Sequence, residues 1–366
     1  MCNLDPRRLI GRRSVLGGAL GAGVLLAAGR LRAAAEVGDE PMIAARRRFF
    51  GAENVDGATG AVRADRVVLS WVGCATYAMA FAGTVVLLDA WAPRLTSAGY
   101  SPATAQDLAD LRPEAIVIGH GHFDHAGDAG RIAQACGAVV YGTAEHGAAI
   151  RAQVPGATFA TVALGDASTP IGQRHDFTLG ALEVTAVRHI HSGPTAPDRD
   201  DPSAPFFPPP DLCALVQHPP SLEGVVHNLT RLADAENGVL LYQFRVPGFA
   251  LVWHDSAGPL VDRAPQVLDV LAGLPRTDLH IGTIQGFNQL TNGLRDPRTY
   301  IEALRPALFV PTHHDNWLPG ITSSAAAYDP PLLAELDRLP AGSRPELRSL
   351  HDPADYLAPG RLTFSL

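Results

Sequence analysis

The sequence contains no lysine: all 29 of its basic residues are arginine. This absence excludes chemistry that needs a lysine amine, such as a Schiff base, a P-loop lysine or a Ser-Lys dyad. Cysteine is scarce as well, with four residues in 366. Three of them follow Cys2, so they can form at most one disulfide among themselves, and a disulfide-stabilised scaffold is excluded. No G-x-S-x-G motif occurs, so the sequence indicates no serine nucleophile of that type.

Long apolar runs are also rare, and the one at residues 15–28 is shorter than the ~20 residues of a membrane-spanning helix. Four arginines precede it, and the adjacent pair Arg12-Arg13 resembles a twin-arginine export signal. Residues 33–35 supply the small side chains of a cleavage site. We therefore expect residues 1–35 to be a signal peptide, with an uncleaved anchor as the alternative. Export would place the mature chain in the periplasm or outside the cell.

The chain carries more acid than base, with a formal net charge of -8 at pH 7. Removal of residues 1–35 would take away six arginines and make the remainder more acidic still. Such a surface repels nucleic acid and anionic membranes. We therefore expect no nucleic-acid partner, no stable membrane insertion of the mature chain, and a small-molecule substrate.

Residues 119–125 read Gly-His-Gly-His-Phe-Asp-His, and imidazole and carboxylate groups are the ligands that suit zinc and related metals. A short apolar run at residues 114–118 predicts a buried strand before this motif, and residues 126–137 predict a helix after it. His120 and His122 alternate along an extended loop and so point the same way, toward one metal. Asp124 and His125 follow where the chain turns into a helix, and they can reach a second metal nearby.

The rest of the chain predicts one large domain at residues 66–366. Residues 36–65 are charged and rich in glycine and alanine, so we expect them to be a loose lead-in segment. Three strand-like runs within residues 66–89 are followed by alternating helices and strands, and a second set begins near Phe177. Two halves of this kind predict an α/β fold, a four-layer αββα sandwich.

Nine prolines fall between Pro194 and Pro220, a density that resists regular structure. We expect an insert at residues 193–220 that is either an ordered flap over a cleft or a flexible segment. As a flap it would bring Phe206 and Phe207 to a substrate. A simple surface insertion is the alternative.

Three more predicted strands, residues 181–188, 249–253 and 307–311, each lead into histidine or aspartate. A lone histidine at a strand end is usually structural, whereas four strand ends with such residues indicate a shared metal centre. The candidates are His189 and His191 after the first strand, His254 and Asp255 after the second, and His313, His314 and Asp315 after the third.

Together these motifs resemble the metallo-β-lactamase superfamily over about residues 67–315, and the HxHxDH motif is specific for it. The chain is most similar to the branch that includes L-ascorbate-6-phosphate lactonases. Residues 71–75, Trp-Val-Gly-Cys-Ala, resemble that branch's Trp-x-Gly-His-Ala element, with Cys74 in place of the histidine. Residues 311–315, Pro-Thr-His-His-Asp, resemble its Pro-x-His-x-Asp element. We expect Cys74 to be a packed small residue rather than a nucleophile.

The resemblance implies two metal ions, which we expect to be zinc, with manganese or iron as alternatives. His191 is preferred over His189 because family ligands at this point often precede serine or threonine, and the choice stays open. His314 and Asp315 are expected behind the ligands. The implied ligands are His120, His122 and His191 or His189 for the first metal, Asp124, His125 and His313 for the second, and Asp255 between them.

These ligands predict a hydrolase. Two zinc ions lower the pKa of a bridging water, and the resulting hydroxide attacks an ester, lactone or phosphodiester. Asp124 and Asp255 are the expected catalytic carboxylates. An iron-dependent oxidoreductase on the same fold and a catalytically silent binding protein are the alternatives. Candidates for the substrate pocket are Phe206, Phe207, His254, Asn288 and Trp317.

Overall fold

The structure is a computed structural model that describes residues 39–92 and 100–366, so the predicted signal peptide lies outside the described residues. Two seven-stranded mixed sheets form the centre of this described part. In the first sheet, strands β1 to β3 are antiparallel neighbours and β4 to β6 continue in parallel. Its strands are β1 (Arg66–Gly73), β2 (Thr76–Phe81), β3 (Thr84–Leu88), β4 (Ala115–Val117), β5 (Val139–Gly142) and β6 (Thr161–Ala163), with β14 (Thr363–Ser365) beside β1.

The second sheet has the same plan, an antiparallel half followed by a parallel half. Its strands lie side by side in chain order, from β7 at one edge to β13 at the other. Its strands are β7 (Arg174–Leu179), β8 (Leu182–His189), β9 (Val239–Val246), β10 (Phe249–His254), β11 (Leu279–Thr283), β12 (Leu308–Thr312) and β13 (Glu346–Leu347).

Helices cover the outer faces of both sheets. Thr143 caps the helix that follows it, since its side chain accepts from the His146 N–H in a capping box. The helices are α1 (Glu40–Phe50), α2 (Ala105–Asp110), α3 (Phe123–Ala126), α4 (Ala129–Cys136), α5 (Ala144–Ala152), α6 (Cys213–Gln217), α7 (Leu222–Leu229), α8 (Leu260–Arg263), α9 (Gln266–Ala272), α10 (Gln289–Asn292), α11 (Arg295–Leu304) and α12 (Asp329–Leu336). None of these helices has the length and apolar character that a membrane crossing requires.

The alternation of side chains along β1 shows how the layers form. Val67, Leu69 and Trp71 face the second sheet and pack in the core between the sheets. Val68 and Val72 face the other way and pack beneath the helices of the first half. Both faces of the strand are therefore buried, which its near-continuous apolar sequence favours. The predicted four-layer αββα sandwich is confirmed.

The expected loose lead-in at residues 36–65 is wrong for its described part. Residues Glu40–Phe50 form helix α1, and Phe49 and Phe50 at its end are fully buried in the core under the first sheet. The Arg46 side chain donates to the carbonyls of Gly60 and Leu111 and ties the helix to the domain. The helix could not be recognised from its charged and small residues, because two adjacent aromatic residues supply most of its buried surface.

The predicted insert is anchored by ion pairs rather than by regular structure. Asp198 lies 3.2 Å from Arg295, and Asp201 pairs with Arg298 and Arg338. The Phe206 N–H donates to the Gln289 carbonyl. These contacts fasten the first half of the insert to helices α10 to α12 and favour the ordered alternative. Helix α6 is the regular element between residues 193 and 220.

Candidate metal centre

The HxHxDH motif leaves the end of β4 and turns into helix α3, as its sequence predicts. Glycine is required at both of its small positions, because other groups approach the backbone closely there. A Cβ at Gly119 would overlap the carboxylate of Asp255, and one at Gly121 would lie 2.5 Å from the Ala235 carbonyl oxygen. Helix α3 is a single turn that ends at Ala126 with Gly127 as its C-cap, and α4 begins at Ala129. The predicted continuous helix at 126–137 is therefore wrong in its first turn. This break lets Asp124 and His125 lie at the sheet edge.

One group of ligand atoms is formed by His120, His122 and His191, whose ligand atoms lie within 4.8 Å of one another. His120 Nε2 lies 3.0 Å from His122 Nδ1. The His191 Nδ1 lies 2.8 Å from the Ser192 carbonyl oxygen, which can only accept, so Nδ1 carries the proton and Nε2 is left with a lone pair. Three neutral imidazoles therefore converge at this point.

A second group contains Asp124, His125 and His313, together with Cys74. His313 Nε2 lies 3.2 Å from Asp124 Oδ2 and 3.1 Å from His125 Nε2. The Asp124 carboxylate is buried, which alone would raise its pKa, but His125 and His313 hold that pKa well below its ordinary value. The second group thus offers an ionised carboxylate and two imidazoles at one place.

Asp255 lies between the two groups. Its Oδ2 accepts from His120 Nδ1 at 2.8 Å and lies 3.2 Å from His125 Nδ1. Its second oxygen, Oδ1, is buried and has no hydrogen-bond partner among the described residues. A buried carboxylate oxygen without a partner is costly unless a cation or proton occupies the space beside it.

The donor set fits a pair of divalent metal ions. Two contacts of about 3 Å join imidazole nitrogens, His120 to His122 and His125 to His313, where a cation would bind the facing lone pairs. Burial lowers the pKa of His120 and lowers that of His122 to about 4. Both rings are therefore neutral near pH 7, as metal binding requires.

Asp89 and Gln285 orient two of these histidines, and the sequence analysis missed both. Asp89, directly after β3, accepts from His125 Nδ1 at 2.6 Å and from the Gly119 N–H at 3.0 Å. Gln285 Oε1 accepts from His313 Nδ1 at 3.2 Å and from Trp317 Nε1 at 2.7 Å. Such outer hydrogen bonds fix the ring orientation and the tautomer of metal-binding histidines. An aspartate at the end of a buried strand was the available signal for Asp89.

His189 lies outside both groups of ligand atoms formed by the described residues. Its Nδ1 is 2.9 Å from the Tyr300 hydroxyl, and burial lowers its pKa to about 3. His314 is also buried and stacks on Trp71. Asp315 accepts from the Cys74 N–H and from the Tyr356 hydroxyl. His314 and Asp315 therefore lie behind the ligand positions, in contact with the strands and turn that carry them.

The five pocket candidates are spread over different environments. Trp317 lies beside the centre, with its ring 5.0 Å from that of His313. Phe206 instead packs against Tyr328, and Phe207 is largely exposed. His254 and Asn288 are buried in hydrogen bonds with His280 and with Asp296, respectively. Of the five, Trp317 has a direct contact with a candidate ligand.

A cluster of histidine and aspartate side chains lies at the edge that the two sheets share. Residues 69–242, nearly half of the chain, match the profile of the metallo-beta-lactamase superfamily. Over these residues the chain is similar to the metallo-beta-lactamase superfamily.

Among individual proteins, the chain is similar to two that are each named UPF0173 metal-dependent hydrolase. The protein of Pyrobaculum aerophilum is 34% identical over 149 residues, which cover 36% of this chain and 63% of that protein. The protein of Pyrobaculum neutrophilum is 36% identical over 105 residues, which cover 27% of this chain and 45% of that protein. The chain thus spans less than two thirds of the length of these relatives.

A solved structure with the same fold is that of Igni18, described as a novel metallo hydrolase from the archaeon Ignicoccus hospitalis. Its TM-score with this chain is 0.52 at 16% sequence identity, and the match covers 82% of this chain and 99% of Igni18. At this identity the likeness concerns the fold alone.

Proposed function

We propose that this protein is a dinuclear metal hydrolase that acts on an ester, lactone or phosphodiester bond. The observation that carries the proposal is the pairing of two ligand groups with Asp255 between them: three imidazoles on one side, and a carboxylate with two imidazoles on the other. Two bound zinc ions would supply an acidified water as nucleophile and polarise the oxygen of the bond to be cleaved. The superfamily match and the names of the relatives support a hydrolase.

Asp124 has a second task beyond holding a metal. Because His125 and His313 keep its pKa low, its carboxylate stays ionised and can accept a hydrogen bond from the attacking water. This contact would orient the water toward the substrate. Asp255 stays ionised for a similar reason, since His120 and His125 lower its pKa against the effect of burial. The two carboxylates are our proposed catalytic residues.

Trp317 is partly exposed beside the second ligand group and suits the uncharged part of a substrate, and the buried rings of Trp91 and Phe123 support it. The rings of Trp91 and Trp317 meet edge to face at 5.9 Å, and Phe123 packs against both. Trp317 is held by its hydrogen bond to Gln285. A rigid aromatic surface beside a polar centre is typical of small-molecule sites. Together with the lactonase-like motifs, it favours an ester or lactone as the substrate class.

We also propose that the enzyme acts outside the cytoplasm. The proposal depends on the twin-arginine-like segment at residues 1–35. Fractionation of cells that express the full chain tests it: the mature protein should appear in the periplasm or medium, and mutation of Arg12 and Arg13 together should retain it in the cytoplasm. Wild-type protein that stays in the cytoplasm would contradict export.

The activity is tested with a panel of esters, lactones and phosphodiesters and the zinc-loaded protein. We expect hydrolysis of at least one class, and a loss of about 100-fold or more in His122→Ala and Asp124→Asn. His351→Ala is the matched control, because His351 is a partly exposed histidine that pairs with Asp329 instead. Equal hydrolysis by wild type and both site variants would show that the site is wrongly assigned. Stoichiometric iron without zinc in protein purified without added metal, together with no hydrolysis, would favour an oxidoreductase.

A further inference from the structure

Cys74 occupies the tight turn between β1 and β2 and is fully buried. Its backbone adopts a left-handed conformation, φ 52°, which is rare for a residue with a side chain. The Asp315 carboxylate accepts from the Cys74 N–H at 3.0 and 3.1 Å. The Cys74 carbonyl accepts from Trp71 Nε1 at 2.9 Å, from Thr312 Oγ1 at 2.8 Å and from the His313 N–H at 3.1 Å. The turn is therefore held tightly against the strand that carries His313.

This anchoring brings the thiol to the second ligand group. The Cys74 Sγ and the ligand atoms of Asp124, His125 and His313 all lie within 4.8 Å of one another, and the Sγ is 3.9 Å from Asp124 Oδ2. Building on the proposed function, we propose that Cys74 is the fourth protein ligand of the second metal. On binding, the S–H bond breaks, the proton leaves to solvent, and the thiolate sulfur bonds the metal.

Cys74 as a ligand would give the two metal sites different donor sets. With Cys74, the second group offers a sulfur, two imidazole nitrogens and a carboxylate oxygen, one protein donor more than the first group, so it would hold its metal more tightly. The group of His120, His122 and His191 supplies three imidazoles and leaves a position open for water or substrate. A thiolate also selects zinc, or cobalt as its substitute, over manganese and magnesium. Cys74 thus sets the metal preference of the second site.

Cys136 provides a matched control within the same chain. It is the other free cysteine among the described residues, and it is half-buried at the end of α4. Its thiol donates to the Ile132 carbonyl at 3.0 Å, and Cys136 belongs to none of the ligand groups. Replacing it removes a thiol without touching the centre.

The experiment replaces the native metals with cobalt(II) in the full protein and records its near-ultraviolet spectrum. We expect a sulfur-to-cobalt charge-transfer band in wild type and in Cys136→Ser, and its loss in Cys74→Ser and Cys74→His. Because loss of an outer partner alone costs about 10- to 100-fold in affinity, Cys74→Ser should weaken the second cobalt by at least about tenfold. Cys74→His keeps a donor at this position, so it should retain two metals and bind manganese better than wild type does.

The outcomes separate this proposal from the proposed function. Two cobalt ions bound to wild type without the band, or a band that survives in Cys74→Ser, would overturn the role of Cys74 alone. Wild type that binds no metal would overturn the proposed function and the role of Cys74 with it. If Cys74→Ser fails to fold, Cys74→His still tests the proposal. A folded Cys74→His protein that binds two metals without the charge-transfer band supports it.

Discussion

A single carboxylate behind the histidines, Asp89, positions the candidate ligand His125. Asp89 accepts from His125 and from the Gly119 N–H, so it fixes both the ring and the loop that carries it. Its burial is complete, and His125 is the nearest group that can neutralise it. Removing the charge of Asp89 would therefore change the orientation of His125, and would affect metal binding only through that histidine.

We predict that Asp89→Asn weakens metal binding at the second group by about 10- to 100-fold, because the amide no longer fixes the tautomer of His125. Calorimetric titration of the metal-free protein with zinc measures this change in affinity. Asp65→Asn is the control, since Asp65 forms an exposed pair with Arg63 far from the centre. Unchanged affinity in Asp89→Asn would show that the hydrogen bond to His125 has no part in metal binding.

The ligand types and their positions after strands could be predicted, because buried strands of this fold end at one edge and imidazole and carboxylate are recognisable there. The choice between His189 and His191 could not be made from alternation, since β8 ends at His189 and the chain then leaves the strand. The role of Cys74 depends on a turn conformation and on contact with Asp315, 241 positions away. That of Gln285 depends on contacts with His313 and Trp317, 28 and 32 positions away, and no local pattern reports either role. Whether the assigned ligands bind metal is still a prediction.

Helix α11 is the element that anchors the proline-rich insert. Arg298 lies on this helix, is 6% exposed, and contacts Asp201 in the insert, Glu302 on its own helix and Glu335 on α12. Removal of this arginine takes the main ion pair from Glu335, whose carboxylate is largely shielded from solvent.

We predict that Arg298→Ala lowers the free energy of unfolding by about 2 to 3 kcal/mol, because the buried Glu335 loses its 2.9 Å ion pair and keeps only the Ser203 hydroxyl and the longer contact with Arg338. Urea unfolding measures this loss. Arg276→Ala is the control: Arg276 also pairs with an aspartate, Asp278, but it is highly exposed, so the change should be under about 1 kcal/mol. Similar losses in both variants would contradict the anchoring role.

Most strands of both sheets could be predicted because their burial on one or both faces imposes apolar runs of strand length. Helix α1 was missed because its buried surface comes from Phe49 and Phe50 at its end, not from a periodic stripe. The insert was located by its prolines, but its ion pairs with α11 and α12 join segments about a hundred residues apart. Only the folded chain brings those charges together.

At the scale of the whole molecule, stability depends on pH through a pair of buried histidines, His254 and His280, near the candidate metal centre. His254 Nδ1 donates to the Ser256 carbonyl at 2.8 Å, so its Nε2 must accept from His280 Nε2, 2.9 Å away. Burial, and then the neighbouring His254, lowers the pKa of His280 well below its ordinary 6.5. In the folded protein His280 is therefore neutral at a pH where the unfolded chain takes up a proton.

This difference makes the stability of the metal-free protein depend on pH. The unfolded chain binds the additional proton below about 6.5, so the contribution of neutral His280 is present above that pH and is lost as pH falls toward its folded pKa. Glutamine in place of His280 can still donate a hydrogen bond to His254 but does not titrate. We predict that His280→Gln reduces the slope of unfolding free energy against pH between about 6 and 5 by roughly 1.4 kcal/mol per pH unit. Identical slopes in wild type and variant would contradict this.

The claim that two metals share one centre is tested most directly by metal content. Protein purified without added metal, and then loaded with zinc and dialysed, should contain about two ions per chain by mass spectrometry. His122→Ala, which alters only the first ligand group, should contain about one, and the His351→Ala control about two. A single ion in wild type, or two ions that persist in His122→Ala, would contradict the dinuclear centre.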